Sequence, residues 1–208
     1  MLCLLAVNAE KVALGFASHT GWAAVVAVAG SPGNLQILDR RRIELLPNDG
    51  SLPRFAYHQA AELSLPAATQ LIHRVGNEAL ARATLAVQTL VEEIRGSARV
   101  VVAAGLPAGG AKVPDKLADI LRSHSLIHAA EGRLSRQALA AAAESRGLCV
   151  IQARERDLWL KAAEAFKMAP DAFRALIDGH GRHAGSPWGA DQKIATAAAL
   201  FALSGDPG

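Results

Sequence analysis

His124, His128 and Glu131 are spaced i, i+4 and i+7, which sets two imidazoles and a carboxylate on one face if the segment is helical. Such a set can bind a borderline metal such as Zn²⁺ or Mn²⁺, and His-x-x-x-His is the spacing of the zinc-metalloprotease helix. The glutamate that follows the first histidine in that motif is Ser125 here, so a protease of that kind is not expected. The same face carries Leu117, Leu121 and Leu134, so the trio interrupts an apolar stripe and is expected to be partly buried. Buried ionisable groups need partners or lose their charge, and these must come from elsewhere in the fold. A structural hydrogen-bond network and a binding or catalytic site both fit the trio.

Other chemistry-bearing stretches are less specific. Tyr57-His58 with Glu62 one turn later could line the same cleft. Gly105-Leu106-Pro107-Ala108-Gly109-Gly110-Ala111-Lys112 has the glycines of a phosphate loop but lacks its Gly-Lys-Ser/Thr ending; it reads as the loop that follows a buried strand. Arg40-Arg41-Arg42 is the only basic triplet, and on a strand its members alternate faces, as in a solvated edge that discourages strand pairing. His180, His183 and Trp188 lie in a glycine-containing segment that reads as an exposed loop.

The elements that must position these residues follow from periodicity. Val12 to Phe16 and Trp22 to Val28 are apolar runs separated by Ala17-Ser18-His19-Thr20-Gly21, a hairpin pattern. Ser18 and Thr20 are expected to bond local backbone in that turn. A second turn at Ser31-Pro32-Gly33-Asn34 leads to a third strand within Leu35 to Leu46, which completes an antiparallel meander. From Pro66, apolar residues recur at helical spacing from Leu71 to Ile94, and Gly96 stops the helix. Arg99 to Leu106 is a continuous Val and Ala run, typical of a strand buried on both faces. Pro114 opens a second long helix that Gly147 closes, and Leu148-Cys149-Val150-Ile151 gives a last strand. Asp157 to His183 is helical in composition but broken at Pro170, and an Ala-rich helix spans Gln192 to Leu203.

Composition sets the outer bounds. Of 208 residues, 51% are hydrophobic but only 4% aromatic, so the core must be close-packed Ala, Leu, Val and Ile. The net charge of +3 comes without a run of five or six like charges, weak grounds for a nucleic-acid partner on composition alone. Cys3 and Cys149 lack metal or redox spacing and read as reduced and buried. No stretch has transmembrane length and the start has no basic leader, so a soluble, cytoplasmic protein is expected.

The order strand-strand-strand-helix-strand-helix-strand-helix, with the meander first and crossover helices after, resembles the ribonuclease H-like superfamily, including the Holliday-junction resolvases and the actin-like ATPase cores. The resemblance implies a three-layer α/β domain with a mixed five-stranded sheet and helices on both faces. It covers most of the chain; 1–208 is expected to be one domain, and the composition of 157–187 reads as a small helical insertion and mobile loop within it. It also implies carboxylates from the first strand, the fourth strand or following helix, and the last helix, gathered around two divalent metals. Where that pattern reads Gly-hydrophobic-Asp and then Thr-Gly-aromatic, this chain has Gly15-Phe16-Ala17-Ser18-His19-Thr20-Gly21-Trp22. Ala17 or Ser18 replaces the aspartate, and neither is a carboxylate ligand for Mg²⁺.

On this resemblance the last helix brings Asp191 and Lys193 near the trio, and the hairpin approaches from the other side. The implied site has Glu131, Asp191 and His128 as catalytic groups, with Glu131 and Asp191 holding a divalent metal: Mg²⁺, Mn²⁺ or Zn²⁺. Ser18, His19, Thr20, His124 and Lys193 would contact substrate. The implied activity is that of a divergent metal-dependent nuclease or phosphotransfer enzyme, with nucleic acid or nucleotide as partner, no membrane, and a homodimer left open. The missing aspartate implies two alternatives: a binding or assembly protein that kept the fold, or an actin-like nucleotide-binding protein.

Overall fold

The computed structural model describes residues 9–95 and 98–205, leaving aside the side chains of 182–184. Strands β1 (Glu10–His19), β2 (Trp22–Ala29) and β3 (Gln36–Glu44) form the meander, followed by α1 (Ala56–Ala60) and the long helix α2 (Leu65–Arg95). Then come β4 (Arg99–Ala108), α3 (Leu117–Leu121), α4 (His124–Ser145) and β5 (Cys149–Arg154). Helices α5 (Glu155–Ala165), α6 (Pro170–Ala184) and α7 (Ala190–Ser204) complete the described chain. The sheet order is β3-β2-β1-β4-β5, with β1 antiparallel to β2 and parallel to β4. β4 is parallel to β5.

The β1–β2 turn is tight because Gly21 takes a left-handed backbone, φ +79°, between the paired residues His19 and Trp22. Strand alternation then sorts side chains between two cores. Val12, Leu14 and Phe16 face α2 and α4, whereas Ala13 and Ala17 face α5, α6 and α7. On α2 the buried residues Leu71, Val75, Ala79, Ala83, Val87, Leu90 and Ile94 form the expected stripe.

Several sequence expectations change here. The single helix expected from Pro114 is two: Ser123, in extended backbone at φ −133°, interrupts the helical ladder and α4 starts afresh at His124. Residues 157–187 are mostly helical. Leu158, Ala162, Phe173 and Ile177 are buried in the core beneath α7, and Gly179 and Gly181 lie inside α6. Gly181 is where Trp188 packs, its indole N–H donating to the Ile177 carbonyl at 3.0 Å. Cys149, expected buried, is exposed because β5 is an edge strand; Cys3 lies outside the described residues, as does the side chain of His183. The arginine triplet alternates faces as expected, but each member is engaged. Arg40 holds the carbonyls of Gly185, Ser186 and Pro187, Arg41 pairs with Asp39 and Glu93, and Arg42 pairs with Glu44. Among the described residues no helix is long and apolar enough to cross a membrane.

Candidate functional site

Open α/β sheets present their sites at the carboxyl ends of parallel strands, here the ends of β1, β4 and β5. α7 reaches that edge because the sheet beneath it carries small side chains and, at two paired positions, none. Gly15 and Gly105 are cross-strand partners, and a Cβ on them would overlap the backbone carbonyls of Ala195 and Ala198 respectively. The helix backbone therefore lies directly on β1 and β4. Its first turn carries Asp191, whose Oδ1 is 2.9 Å from His19 Nε2. His19 stacks on Trp22 with ring centroids 4.2 Å apart and planes within 9°, and the Arg42 guanidinium lies 3.9 Å from the Trp22 ring centre. Lys193, one turn-face away, is held by Asp178 at 2.7 Å. Two of the expected residues thus meet, His19 and Asp191, while Lys193 turns to α6.

The turn itself is fixed from outside rather than by its own hydroxyls. The Gly21 N–H donates to Ser135 Oγ on α4 at 3.3 Å, and Arg54 Nε donates to the Thr20 carbonyl at 3.0 Å. Ser18 is half-buried and Thr20 offers its backbone, so neither presents a charged group at the edge.

A pair of divalent metals needs converging carboxylates, and the donor set does not fit. β1 ends in Ala17-Ser18-His19, β4 contains no acidic residue, and Ile194 follows Asp191 one turn on. The acid of β1, Glu10, lies at its opposite end, bonded to Arg99 and Gln36. Glu131 and Asp191, expected to share a metal, serve different partners: Asp191 takes His19, and Glu131 takes α1.

What the edge holds instead is a cleft that sequence reasoning missed, between the end of β4, the β5–α5 junction, α6 and α7. It is lined by Gly109, Arg154, Glu155, Arg156, Trp159, Arg174 and Ile194. Arg154 and Arg156 share Asp157, at 2.6 and 3.4 Å, and Arg174 lies over the Trp159 ring at 4.3 Å. Arg136 of α4 reaches the adjoining hollow against Gly109, where a Cβ would displace it. Burial lowers its pKa, and the charge of Glu155 opposes that shift. The available signal was Arg154-Glu155-Arg156 at the end of the last strand, a position that borders the edge of any sheet of this order.

The histidines expected on α4 form a second constellation. His124 and His128 lie with their Nε2 atoms 3.0 Å apart, and His58 of α1 joins them, its ring centroid 4.6 Å from that of His128. Glu131, 4% exposed, accepts from the backbone N–H groups of Tyr57 and His58 at 2.8 and 3.2 Å and contacts His58 Nδ1 at 3.2 Å. It thereby supplies the cap that α1 lacks in its own sequence.

A mixed sheet of order 3-2-1-4-5, opened by a meander and covered by helices on both faces, is the ribonuclease H-like fold. Two solved structures of Thermus thermophilus RuvC share it. One, in complex with a Holliday junction substrate, is 13% identical, with 94% of each chain covered and a TM-score of 0.54. The other is 14% identical over 93% of each chain, with a TM-score of 0.52. No family model and no curated protein matches the sequence.

Proposed function

We propose that this chain is a ribonuclease H-like domain that binds nucleic acid at the carboxyl edge of its sheet without hydrolysing it by the two-metal route. The observation that carries this is the composition of that edge: arginines and a tryptophan stand in the cleft, and β1 and β4 arrive without carboxylates. Guanidinium groups recognise phosphate in a bidentate fashion, and the half-buried Trp159, with Arg174 over its ring, offers a cation-capped aromatic surface beside them. The solved RuvC complex with a Holliday junction substrate makes four-way DNA the first ligand to try. In this account Asp191 orients His19 at the rim, and Glu131 and Asp191 hold no common metal.

The test is fluorescence anisotropy with a labelled four-way junction, a duplex and a single strand, each measured at two salt concentrations. Binding is expected to weaken steeply with salt, as phosphate contacts require, by roughly tenfold or more between 50 and 200 mM. Arg136→Ala and Arg174→Ala are each expected to weaken it by about tenfold, the scale of one charge-assisted hydrogen bond. Absence of binding to all three DNAs at low salt would sink the proposal. Cleavage of the junction that requires Mg²⁺ or Mn²⁺ and disappears in Asp191→Asn would replace it with the nuclease alternative. Stabilisation by a nucleotide with Mg²⁺ but not by DNA would favour the actin-like one. Light scattering on the same samples reads whether the chain is a homodimer.

A further inference from the structure

The three histidines at the junction of α1 and α4 are not used by the proposed nucleic-acid edge and do not depend on it. One nitrogen from each of His58, His124 and His128 lies within 4.8 Å of the other two, and among the described residues this is the group of three or more metal-ligating side chains that converges. His124 and His128 face the same way because Ser123 restarts the helix, which places them one turn apart at its first residue and its fifth. His58 is delivered by α1, whose amino end is fixed on Glu131. The ring centroids stand 4.4, 4.6 and 5.4 Å apart, edge to face, so the rings converge on a point rather than stack.

In a tetrahedral zinc site with Zn–N bonds near 2.0–2.1 Å, ligand nitrogens lie about 3.3 Å apart. His124 and His128 are already at 3.0 Å, and a nitrogen of His58 lies within 4.8 Å of both. The environment of His58 supplies the second requirement. Its Nδ1 is on the Glu131 carboxylate at 3.2 Å, which leaves Nε2 for a ligand bond. A buried carboxylate behind a ligating imidazole fixes the tautomer and raises the basicity of the ligand. Because the donors are imidazoles rather than oxygens, the set selects Zn²⁺ and its neighbours over Mg²⁺.

We propose that His58, His124 and His128 bind one zinc ion, with Glu131 orienting His58 and a fourth, solvent-facing position open. His124 and His128 are exposed, so the ion would have direct access to water or to an external ligand, the arrangement that separates three-histidine open sites from closed structural ones.

The experiment uses the full chain without an affinity tag, stripped with a chelator and titrated with ZnCl₂ by calorimetry. Cobalt is added in parallel to read coordination from its visible absorption. One zinc per chain with Kd below about 10 µM is expected, a free energy of roughly −7 kcal/mol. His124→Ala and His128→Ala should each weaken it by at least about 100-fold, and Glu131→Gln by about 10- to 100-fold, the range for lost outer-shell partners. The two histidines are at the surface, so their variants should fold normally, and circular dichroism confirms it. Weaker or non-stoichiometric binding, or an unchanged Kd in His124→Ala/His128→Ala, overturns the site; the latter would move zinc to Cys149 or another part of the chain. MgCl₂ serves as the negative control, and a response to it equal to that of zinc also counts against the assignment.

Discussion

A carboxylate almost sealed from water must be neutralised by what surrounds it, and Glu131 is answered by two amide hydrogens and an imidazole of α1. Truncation in Glu131→Ala leaves those donors without an acceptor and should cost about 3 kcal/mol of unfolding free energy. Glu131→Gln keeps an acceptor for the amides and should cost about half as much. Urea denaturation of both variants checks the ratio, and equal losses would mean that charge rather than amide capping matters. The neighbouring Tyr57, 7% exposed, has its pKa raised by burial, against a lowering bond from Arg133. A phenol whose folded pKa lies above its unfolded value contributes stability that is fully present below the unfolded pKa, about 10, and is lost as pH rises through the folded one. It is the chain's single tyrosine, so phenolate absorbance reports it alone; it should ionise above the ordinary range while the fold persists and return to that range in urea. At this scale the spacing of His124, His128 and Glu131 was readable, because one helix face is a local property. The arrival of His58, and the division of Glu131 and Asp191 between separate partners, depend on which elements meet, and no local pattern encodes that.

Helix α7 shows how an element earns its position. Its Ala-rich face and the paired Gly15 and Gly105 bring helix backbone onto the sheet at those two positions, which lets the first turn overhang the edge and carry Asp191 to His19. Gly15→Ala or Gly105→Ala must push the helix off the sheet, at a cost of about 3 kcal/mol or more by the usual penalty for overpacking. The His19–Asp191 contact should be lost with it, a change visible in the imidazole NMR signals of His19. Gly76, with open space at its Cβ position, is the control: Gly76→Ala within α2 should be neutral or stabilising by up to about 1 kcal/mol. The strands and α2 were legible because their apolar periods are strong. Glycine inside an apolar run is a recognised sign of close backbone approach, and at Gly15 that sign was present in the sequence. The division of α3 from α4 was not legible, since Pro114 satisfies the rule for a helix start while the actual break falls at Ser123, whose extended backbone the sequence pattern does not require.

For the molecule as a whole, the sheet separates two cores that share the same strands, so neither can melt without exposing the other. Alternate residues of β2 belong to opposite sides: Val25 and Ala27 to the α2 side, Val26 and Val28 to the α7 side. Residues 157–187 contribute Leu158, Phe173 and Ile177 to the second core, each no more than 1% exposed. Trp22, Trp159 and Trp188 all pack against that core, whereas Tyr57 lies in the cluster with Ile120 and Ile127 on the opposite side. Tryptophan fluorescence and tyrosine absorbance therefore watch the two sides independently during one urea titration. A single cooperative domain requires the two curves to coincide, and excision of 157–187 with a short linker should leave a chain that does not fold. An independently stable insertion predicts the opposite on both counts: a tryptophan transition at lower urea than the tyrosine one, and a folded remainder after excision.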